Sequence, residues 1–313
     1  ASPDAGAQVP SFTTVATTGF AASTNVMRRD PSDIIHVGDR FYLWYTKGDR
    51  VDGYDSTVWY ATSTNGIDWA EQGECVPRGA DDEWDSQSAF TPNILVASNR
   101  YWLFYTGVPK PFTNDGNQVT FSAIGAAVAD SPDGPWTKLT NNPLLVTSPD
   151  TNDFDSMRVD DSVLMVRDGT YWLYYKGRQW NNTPANTKLG VAIAPSPEGP
   201  YVKYEGNPVF PGGHEMMAWP VGSGVMALIT SGGNGMLYAA DGINFTRVMS
   251  LSGLPFAAGF YRPEAFTDSG LGEPPPWGMQ IINGTLPILP TIGRVNCNWF
   301  GLGALPEAGL IQW

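Results

Sequence analysis

The chain consists of short apolar runs that alternate with polar turns, and one of these runs recurs. An aromatic-rich run of six residues occupies 41–46 (FYLWYT), 101–106 (YWLFYT) and 171–176 (YWLYYK), and a degenerate copy occupies 225–230 (VMALIT). Short runs of this composition between turn residues are typical of β-strands. Because self-similarity along a chain is the signature of a repeat architecture, the pattern predicts one β-unit that is used several times.

A second apolar strand and a tight turn follow each copy of the aromatic run. The turn residues are NG at 65–66, DG at 133–134, EG at 198–199 and DG at 241–242. Turns of this chemistry join antiparallel strands. The units start near residues 30, 90, 160 and 214, so each is long enough for the four-stranded sheet that forms a propeller blade.

A fifth, irregular unit is expected to begin near Arg262 and to run through residues 277–281. Residues 294–299 are then expected to pair with the N-terminal segment, which removes the exposed strand edges of an open array. The sequence therefore predicts an all-β, five-bladed β-propeller in a single domain over residues 1–313, with residues 1–25 as an N-terminal extension or closing segment. A β-sandwich or jelly roll would not explain four recurrences of one motif.

Composition supports this fold and limits the classes of binding partner. The chain has 35 Gly, 26 Pro and 12% aromatic residues, which favours many short strands joined by turns. Its net charge of −13 repels nucleic acid and anionic membranes, and no apolar stretch is long enough to span a bilayer. The acidic surface and the small polar N-terminus lead us to expect a secreted or periplasmic protein. The oligomeric state is open.

Cysteine and histidine usage limits the metal chemistry. Cys75 and Cys297 either form a disulfide between early and late parts of the ring or are two unrelated thiols. With only two histidines, a multi-histidine centre is excluded. We expect no metal in the active site and no required cofactor, although Ca²⁺ or another divalent ion on the propeller axis is an open alternative.

The repeat also predicts where chemistry lies. Twelve residues before the second position of the aromatic strand stand Asp30, Phe90, Asp160 and His214. Equivalent positions of successive blades are related by rotation, so these four are expected to surround one central pocket. Two carboxylates and a third titratable group suit glycoside hydrolysis, in which one group deprotonates water and another protonates the departing oxygen. Phe90 would then offer an apolar surface to the sugar.

Each of these residues also has a structural interpretation. An Asp before Pro or Ser often caps a turn, and a lone His is usually structural. Their convergence at one rotational position favours function. Weaker candidates for substrate binding follow from their neighbourhood to the predicted ring or from their place at the start of a unit: Arg29, Arg178, Gln179, Trp219 and Glu264.

Several short motifs resemble known families. The segment 30–32 (DPS), followed by an apolar run and by 38–45 (GDRFYLWY), resembles the first blade of glycoside hydrolase families 43 and 32; 90–94 (FTPNI) and 160–164 (DDSVL) resemble their second and third blades. The segments 28–32 (RRDPS), 175–178 (YKGR) and His214-Glu215 are similar to glycoside hydrolase family 117, the 3,6-anhydro-α-L-galactosidases. The resemblance implies a five-bladed propeller and an oligosaccharide substrate.

The same resemblance implies roles for four residues. Asp30 would be the general base of an inverting reaction, Asp160 an orienting carboxylate that tunes pKa, His214 an unusual general acid and Glu215 its partner. His is chemically suited to this role because its unperturbed pKa, about 6.5, is close to working pH; we expect an adjacent carboxylate to raise that pKa further. Glu215 and Glu264 are the rival acids.

The expected activity is exo-hydrolysis that releases 3,6-anhydro-L-galactose from the non-reducing ends of agar oligosaccharides. An α-L-arabinofuranosidase or β-xylosidase, or a carrageenan-type anhydro-galactosidase, is the alternative within the same class. A non-catalytic carbohydrate-binding propeller is the alternative from another class, since fold alone does not fix function. It would retain Phe90 but would not need Asp30 or His214.

Overall fold

The computed structural model describes residues 9–112, 114, 120–262 and 274–299, and in these residues it contains strands and no helix. The strands form five small antiparallel sheets that are arranged as a five-bladed β-propeller, which confirms the predicted fold. In the described part of the chain, no helix is long and apolar enough to cross a membrane.

The strands are assigned to blades as follows. β1 (Ser11–Val15) lies apart from its neighbours in the chain and belongs to blade 5. Blade 1 contains β2 (Met27–Arg29), β3 (Ile35–Val37), β4 (Arg40–Gly48), β5 (Thr57–Ser63) and β6 (Ala70–Val76). Blade 2 contains β7 (Ser88–Ala97), β8 (Arg100–Val108), β9 (Ala123–Ala129), β10 (Thr137–Lys138) and β11 (Leu145–Val146). Blade 3 contains β12 (Arg158–Arg167), β13 (Thr170–Arg178), β14 (Thr187–Ala194) and β15 (Val202–Lys203). Blade 4 contains β16 (Met216–Val221), β17 (Gly224–Ile229), β18 (Gly235–Ala239) and β19 (Thr246–Ser250). The last blade is completed by β20 (Gly259–Phe260), β21 (Trp277–Ile282) and β22 (Thr291–Asn298).

The ring is closed by pairing the two ends of the chain. β1 pairs antiparallel with β22, with Ser11 opposite Asn298 and Val15 opposite Arg294. This pairing was predicted from the sequence. The predicted disulfide alternative is wrong, since Cys75 and Cys297 are both free thiols.

The aromatic runs are apolar or aromatic at their first five positions because both faces of each blade are buried. Side chains alternate between the two faces of a strand. On β8, Leu103 and Tyr105 pack against blade 1, whereas Trp102 and Phe104 pack against blade 3. Similar apolar clusters fill the contacts between blades 3 and 4, 4 and 5, and 5 and 1. The core therefore lies between the blades, which leaves the inner ends of the strands free to line the axis.

The inner strands are bent at their first residues. In blades 2 and 3 a β-bulge interrupts the pairing, between Phe90 and Asn93 and between Asp160 and Val163. The residue after Phe90 or Asp160 then takes a positive φ, 45° at Thr91 and 52° at Asp161. Bulges of this type turn side chains in a new direction and are frequent beside active sites.

Candidate active site

A cavity of about 500 Å³ lies where the inner strands of blades 1 to 4 begin. Its wall includes all four residues of the predicted ring, Asp30, Phe90, Asp160 and His214, together with Glu215. Rotation of the repeat thus brings residues that are far apart in sequence to one place. A cavity of this volume is within the range of small-ligand sites.

The register of blade 1 differs from the sequence alignment by one residue. In blade 1, Arg29 pairs with Thr46 and Ile35 pairs with Tyr42, so six steps along the segment that contains β2 and β3 lie opposite four steps along β4. In blade 2, only five steps along β7, from Phe90 to Leu95, lie opposite four steps along β8. Blade 1 therefore holds one extra residue. As a result Asp30 (φ 51°) corresponds to Asp161 (φ 52°) of blade 3 and not to Asp160.

Asp161 was missed by the sequence analysis for this reason. It lines the cavity beside Asp160, and both carboxylates approach the ammonium of Lys176 on β13. The Nζ atom lies 3.4 Å from Oδ1 of Asp160 and in direct contact with Oδ2 of Asp161. Lys176 also lies 3.4 Å from Nε2 of His214. The acidic pair at 160–161 was the sequence signal that could have indicated this cluster.

Two cations act on the ring of His214. Besides Lys176, the guanidinium of Arg29 acts on it, and Thr187 Oγ1 lies 3.5 Å from its Nδ1. Lys176 first, and then burial, lower the pKa of His214 to about 3. We expected Glu215, whose Oε1 is 3.6 Å from Nε2, to raise this pKa. That expectation was wrong: the pKa of His214 is lowered, because the ammonium of Lys176 outweighs Asp30, the carboxylate that raises it.

Two carboxyl groups of the cavity, those of Glu215 and Asp160, have raised pKa values. Burial, followed by repulsion from Asp161, raises the pKa of Glu215 well above its ordinary value. Burial also raises the pKa of Asp160 to about 6, although Lys176 opposes the shift. Burial therefore favours a proton on Glu215, whereas the ammonium of Lys176 disfavours one on His214. The favoured proton donor is the carboxyl group.

Asp30 is held in a fixed orientation by its neighbour in sequence. Nε of Arg29 donates to both carboxylate oxygens of Asp30, at 3.1 and 3.2 Å, and an Nη atom donates to the carbonyl of Val51 at 3.2 Å. Arg29 lines the cavity as predicted. Its contacts make it an orienting partner of Asp30, and the pair leaves carboxylate lone pairs for a water molecule.

An aromatic wall stands on the blade 2 side of the cavity. The rings of Phe90 and Tyr54 meet edge to face at 5.4 Å, and Tyr54 lies 4.8 Å from Phe112. Burial raises the pKa of Tyr54 to about 12, so its hydroxyl remains protonated. Phe90 was predicted. Tyr54 and Phe112 lie in loops outside the repeat and therefore carried no sequence signal.

Of the remaining predicted binding residues that the structure describes, one lines the cavity and two do not. Arg178 lines the cavity and donates to Asn114 Oδ1 at 2.7 Å. Gln179 does not line it; its side chain donates to the carbonyls of Thr151 and Asn152. Trp219 does not line it either, because it is 1% exposed and packs between blades 4 and 5.

Glu264 lies outside the described residues. No group of three or more His, Cys, Asp or Glu in the described ranges is arranged to hold a metal ion. An ion on the axis therefore stays a prediction.

The site thus combines an oriented carboxylate, a separate buried carboxyl group with a raised pKa and an aromatic wall, which together define a glycosidase of the propeller type. The family model for glycosyl hydrolases family 43 matches residues 24–177. Zg3597, a family 117 glycoside hydrolase produced by the marine bacterium Zobellia galactanivorans, is 31% identical over 92% of this chain and 90% of its own, with a TM-score of 0.83. The chain belongs to glycoside hydrolase family 117 and is a glycoside hydrolase.

More distant structures share the fold. Sucrose-6-phosphate hydrolase from Lactobacillus gasseri is 13% identical, with 87% of this chain and 59% of that chain covered and a TM-score of 0.63. Fructan 1-exohydrolase IIa from Cichorium intybus is 12% identical, with 89% and 58% covered and a TM-score of 0.59. No curated protein matches the sequence significantly.

Proposed function

We propose that this protein is an inverting exo-glycosidase that releases 3,6-anhydro-L-galactose from the non-reducing ends of agar oligosaccharides. The observation that carries the proposal is the presence in one cavity of Asp30, an arginine-held carboxylate, and Glu215, a buried carboxyl group whose pKa is raised well above its ordinary value. The choice of sugar is supported by the likeness to a family 117 hydrolase over 92% of the chain.

The proposed reaction is a single displacement. Asp30 takes a proton from a water molecule, whose oxygen forms a bond to the anomeric carbon. The glycosidic C–O bond breaks, its electron pair goes to the departing oxygen, and that oxygen takes the proton of Glu215. Asp30 ends protonated and Glu215 ionised, and exchange with solvent restores both. The sugar is released with inverted configuration.

Three neighbours prepare this step. Asp160 lies on the cavity wall beside Lys176 and acts as the orienting carboxylate. The aromatic wall of Tyr54, Phe90 and Phe112 accepts the apolar face of the sugar. Neutral His214 offers one nitrogen as a hydrogen-bond donor or acceptor to a sugar hydroxyl. We assign the acid role to Glu215 and not to His214, because burial raises the pKa of Glu215 whereas Lys176 and burial lower that of His214 to about 3.

The substrate is tested with a panel of agar, carrageenan, arabinan and xylan oligosaccharides. Release of the anhydro-sugar from neoagaro-oligosaccharides, with the inverted anomer seen first by NMR, is the expected result. Release of arabinose or xylose would instead favour a family 43 type of activity, for which the match over residues 24–177 is the supporting observation. No cleavage of any of these sugars would favour the carbohydrate-binding propeller.

The acid is tested by comparing Glu215→Gln with His214→Gln. With a poor leaving group, Glu215→Gln should lose about 10²–10⁴-fold in kcat/KM, and it should recover much of this with an activated aryl glycoside that needs no protonation. His214→Gln should lose activity on both substrates alike, because it removes a binding contact. The reverse pattern would assign the proton to His214.

A further inference from the structure

A second cavity follows the catalytic cavity along the propeller axis. It has a volume of about 50 Å³ and is lined by residues 30–31, 91–93, 161–163, 215–217 and 257–258. The first four ranges lie in or beside the inner strands of blades 1 to 4, and the last range precedes β20 of blade 5. Because all five blades contribute to its wall, this cavity, here called the axial chamber, lies on the axis of the ring.

The axial chamber adjoins the catalytic cavity. Four residues line both cavities, one from each of blades 1 to 4: Asp30, Thr91, Asp161 and Glu215. In each of these blades the chamber is then lined by the residues that follow next in the chain. Asp30, the proposed base, therefore stands between the sugar site and the chamber.

The wall of the chamber contains a buried hydroxyl group that needs a partner. Ser162 is 4% exposed, and its Oγ atom has no hydrogen-bond partner among the described residues. Its backbone carbonyl, by contrast, accepts from Nδ2 of Asn93 at 2.8 Å. An unpaired buried hydroxyl is costly, and buried water molecules typically satisfy such groups. One water needs roughly 10–15 Å³, so the chamber has room for water beside Asp30.

The proposed reaction creates a demand for water on this side. In an inverting hydrolysis the water attacks the face of the sugar that is opposite the departing oxygen, next to the base. A sugar in the catalytic cavity covers Asp30, whose side chain is already only 12% exposed. The chamber reaches the same carboxylate from the other side, so a bound sugar does not block it.

We propose that the axial chamber holds the water that Asp30 activates and delivers it while the sugar occupies the catalytic cavity. Ser162 is a positioning residue, because its hydroxyl group orients this water. The covalent step is unchanged: the water oxygen bonds to the anomeric carbon, and a proton of the water goes to Asp30. The inference deepens the proposed function and rests on the role given there to Asp30.

The first test is crystallographic. In the wild-type protein without sugar, we expect an ordered water at about 2.7–2.8 Å from Ser162 Oγ, linked directly or through a second water to Asp30. The same water should remain when a neoagaro-oligosaccharide is bound to Asp30→Asn. A dry chamber would overturn the proposal, as would a metal ion in it, recognised by oxygen ligands at about 2.0–2.6 Å.

The second test is kinetic and uses two substitutions of one residue. Ser162→Val adds side-chain volume to the chamber and should lower kcat by about 10–100-fold, the effect of misplacing a reactant. KM should stay unchanged, because Ser162 does not line the sugar site. Ser162→Ala removes the hydroxyl group but leaves the space, so its loss in kcat should be smaller.

Thr230→Val is the matched control. Thr230, which follows β17, also has a buried hydroxyl group without a hydrogen-bond partner in the described part of the chain, and it lines neither cavity. Replacing it with a side chain of the same shape should leave kcat and KM as in the wild type. A loss equal to that of Ser162→Val would show that any buried hydroxyl has this effect and would overturn the proposal.

Wild-type kcat in Ser162→Val would also overturn the proposal, as would a loss confined to KM. If Ser162→Val does not fold, Ala258→Val, which narrows the chamber from blade 5, decides the matter by the same criteria. The crystallographic test needs no turnover. Near-normal turnover in Asp30→Asn would therefore refute the proposed function without changing the occupancy of the chamber, whereas a dry chamber would refute this inference and leave Asp30 as the base.

Discussion

Blade 3 contains two buried clusters of lysine and acid, and they differ in kind. In the outer cluster, Asp155 accepts from Tyr175 Oη at 2.8 Å and pairs with Lys203 at 2.6 Å. Blade 2 repeats this arrangement, with Asp85 accepting from Tyr105 at 2.9 Å and pairing with Lys138 at 2.6 Å. Each outer cluster has one acid, one lysine and one phenol.

Among the residues that the structure describes, no other blade contains a copy of the inner cluster. In this cluster Lys176 forms ion pairs with Asp160 and Asp161, acts electrostatically on Glu215 and lies close to His214. In this cluster burial first, and then the like charge of Asp161, favour a proton on Glu215. The comparison teaches that interactions which recur from blade to blade hold the fold, whereas a departure from the repeat indicates chemistry.

The largest expected effect is on activity in the inner region. Asp30→Asn should reduce kcat/KM by about 10²–10⁴-fold, because the amide cannot take the proton of water. The melting temperature should change little, since the amide oxygen still accepts from Arg29. Steady-state kinetics and thermal denaturation check both points, with the exposed Asp39→Asn as control. Near-normal turnover in Asp30→Asn would refute its role as base.

The outer cluster should show the opposite behaviour. Asp155→Ala leaves Lys203 and the Tyr175 hydroxyl without their acceptor, and removing one partner of a buried ion pair costs about 3–5 kcal/mol. Urea unfolding should show this loss, while kcat/KM measured well below the melting temperature should stay close to wild type. A large loss of activity in a folded Asp155→Ala protein would break the distinction between the two clusters.

A smaller effect should appear in the pH dependence of stability. Burial raises the pKa of Asp160 to about 6, above its value in the unfolded chain, so the folded state binds more protons between about pH 4 and 6. Wild-type stability should therefore fall, relative to Asp160→Asn, by about 1–3 kcal/mol as the pH rises through this range. Urea unfolding of both proteins at pH 4, 5, 6 and 7 measures the difference. A constant difference across this range would show that Asp160 is not perturbed.

The smallest effect on activity is expected at Gln179, which follows the cavity residue Arg178 in the sequence. Gln179 bonds to a loop and does not line the cavity, so Gln179→Ala should change kcat/KM by less than about twofold. Arg178→Ala is the sensitive counterpart because Arg178 lines the cavity. Equal effects of the two substitutions on KM would place Gln179 in the substrate site after all.

Much of the fold was determined by the sequence, for a local physical reason. A strand whose two faces are both buried is apolar or aromatic along most of its length, so the runs at 41–46, 101–106 and 171–176 identified the middle of each blade. Repetition then implied rotation, and rotation predicted that Asp30, Phe90, Asp160 and His214 meet in one cavity. The closing pair of β1 and β22 followed from the same reasoning.

Tertiary structure alone decided the register and the charges. One extra residue in blade 1 aligned Asp30 with Asp161, a shift invisible in an alignment without gaps. Trp219 was directed to the contact between blades and not to the cavity, since its face of β16 is set by strand pairing. The protonation of His214 depended on an ammonium 3.4 Å away that comes from another blade. Electrostatic energies vary with distance and burial across the ring, and a linear sequence contains neither.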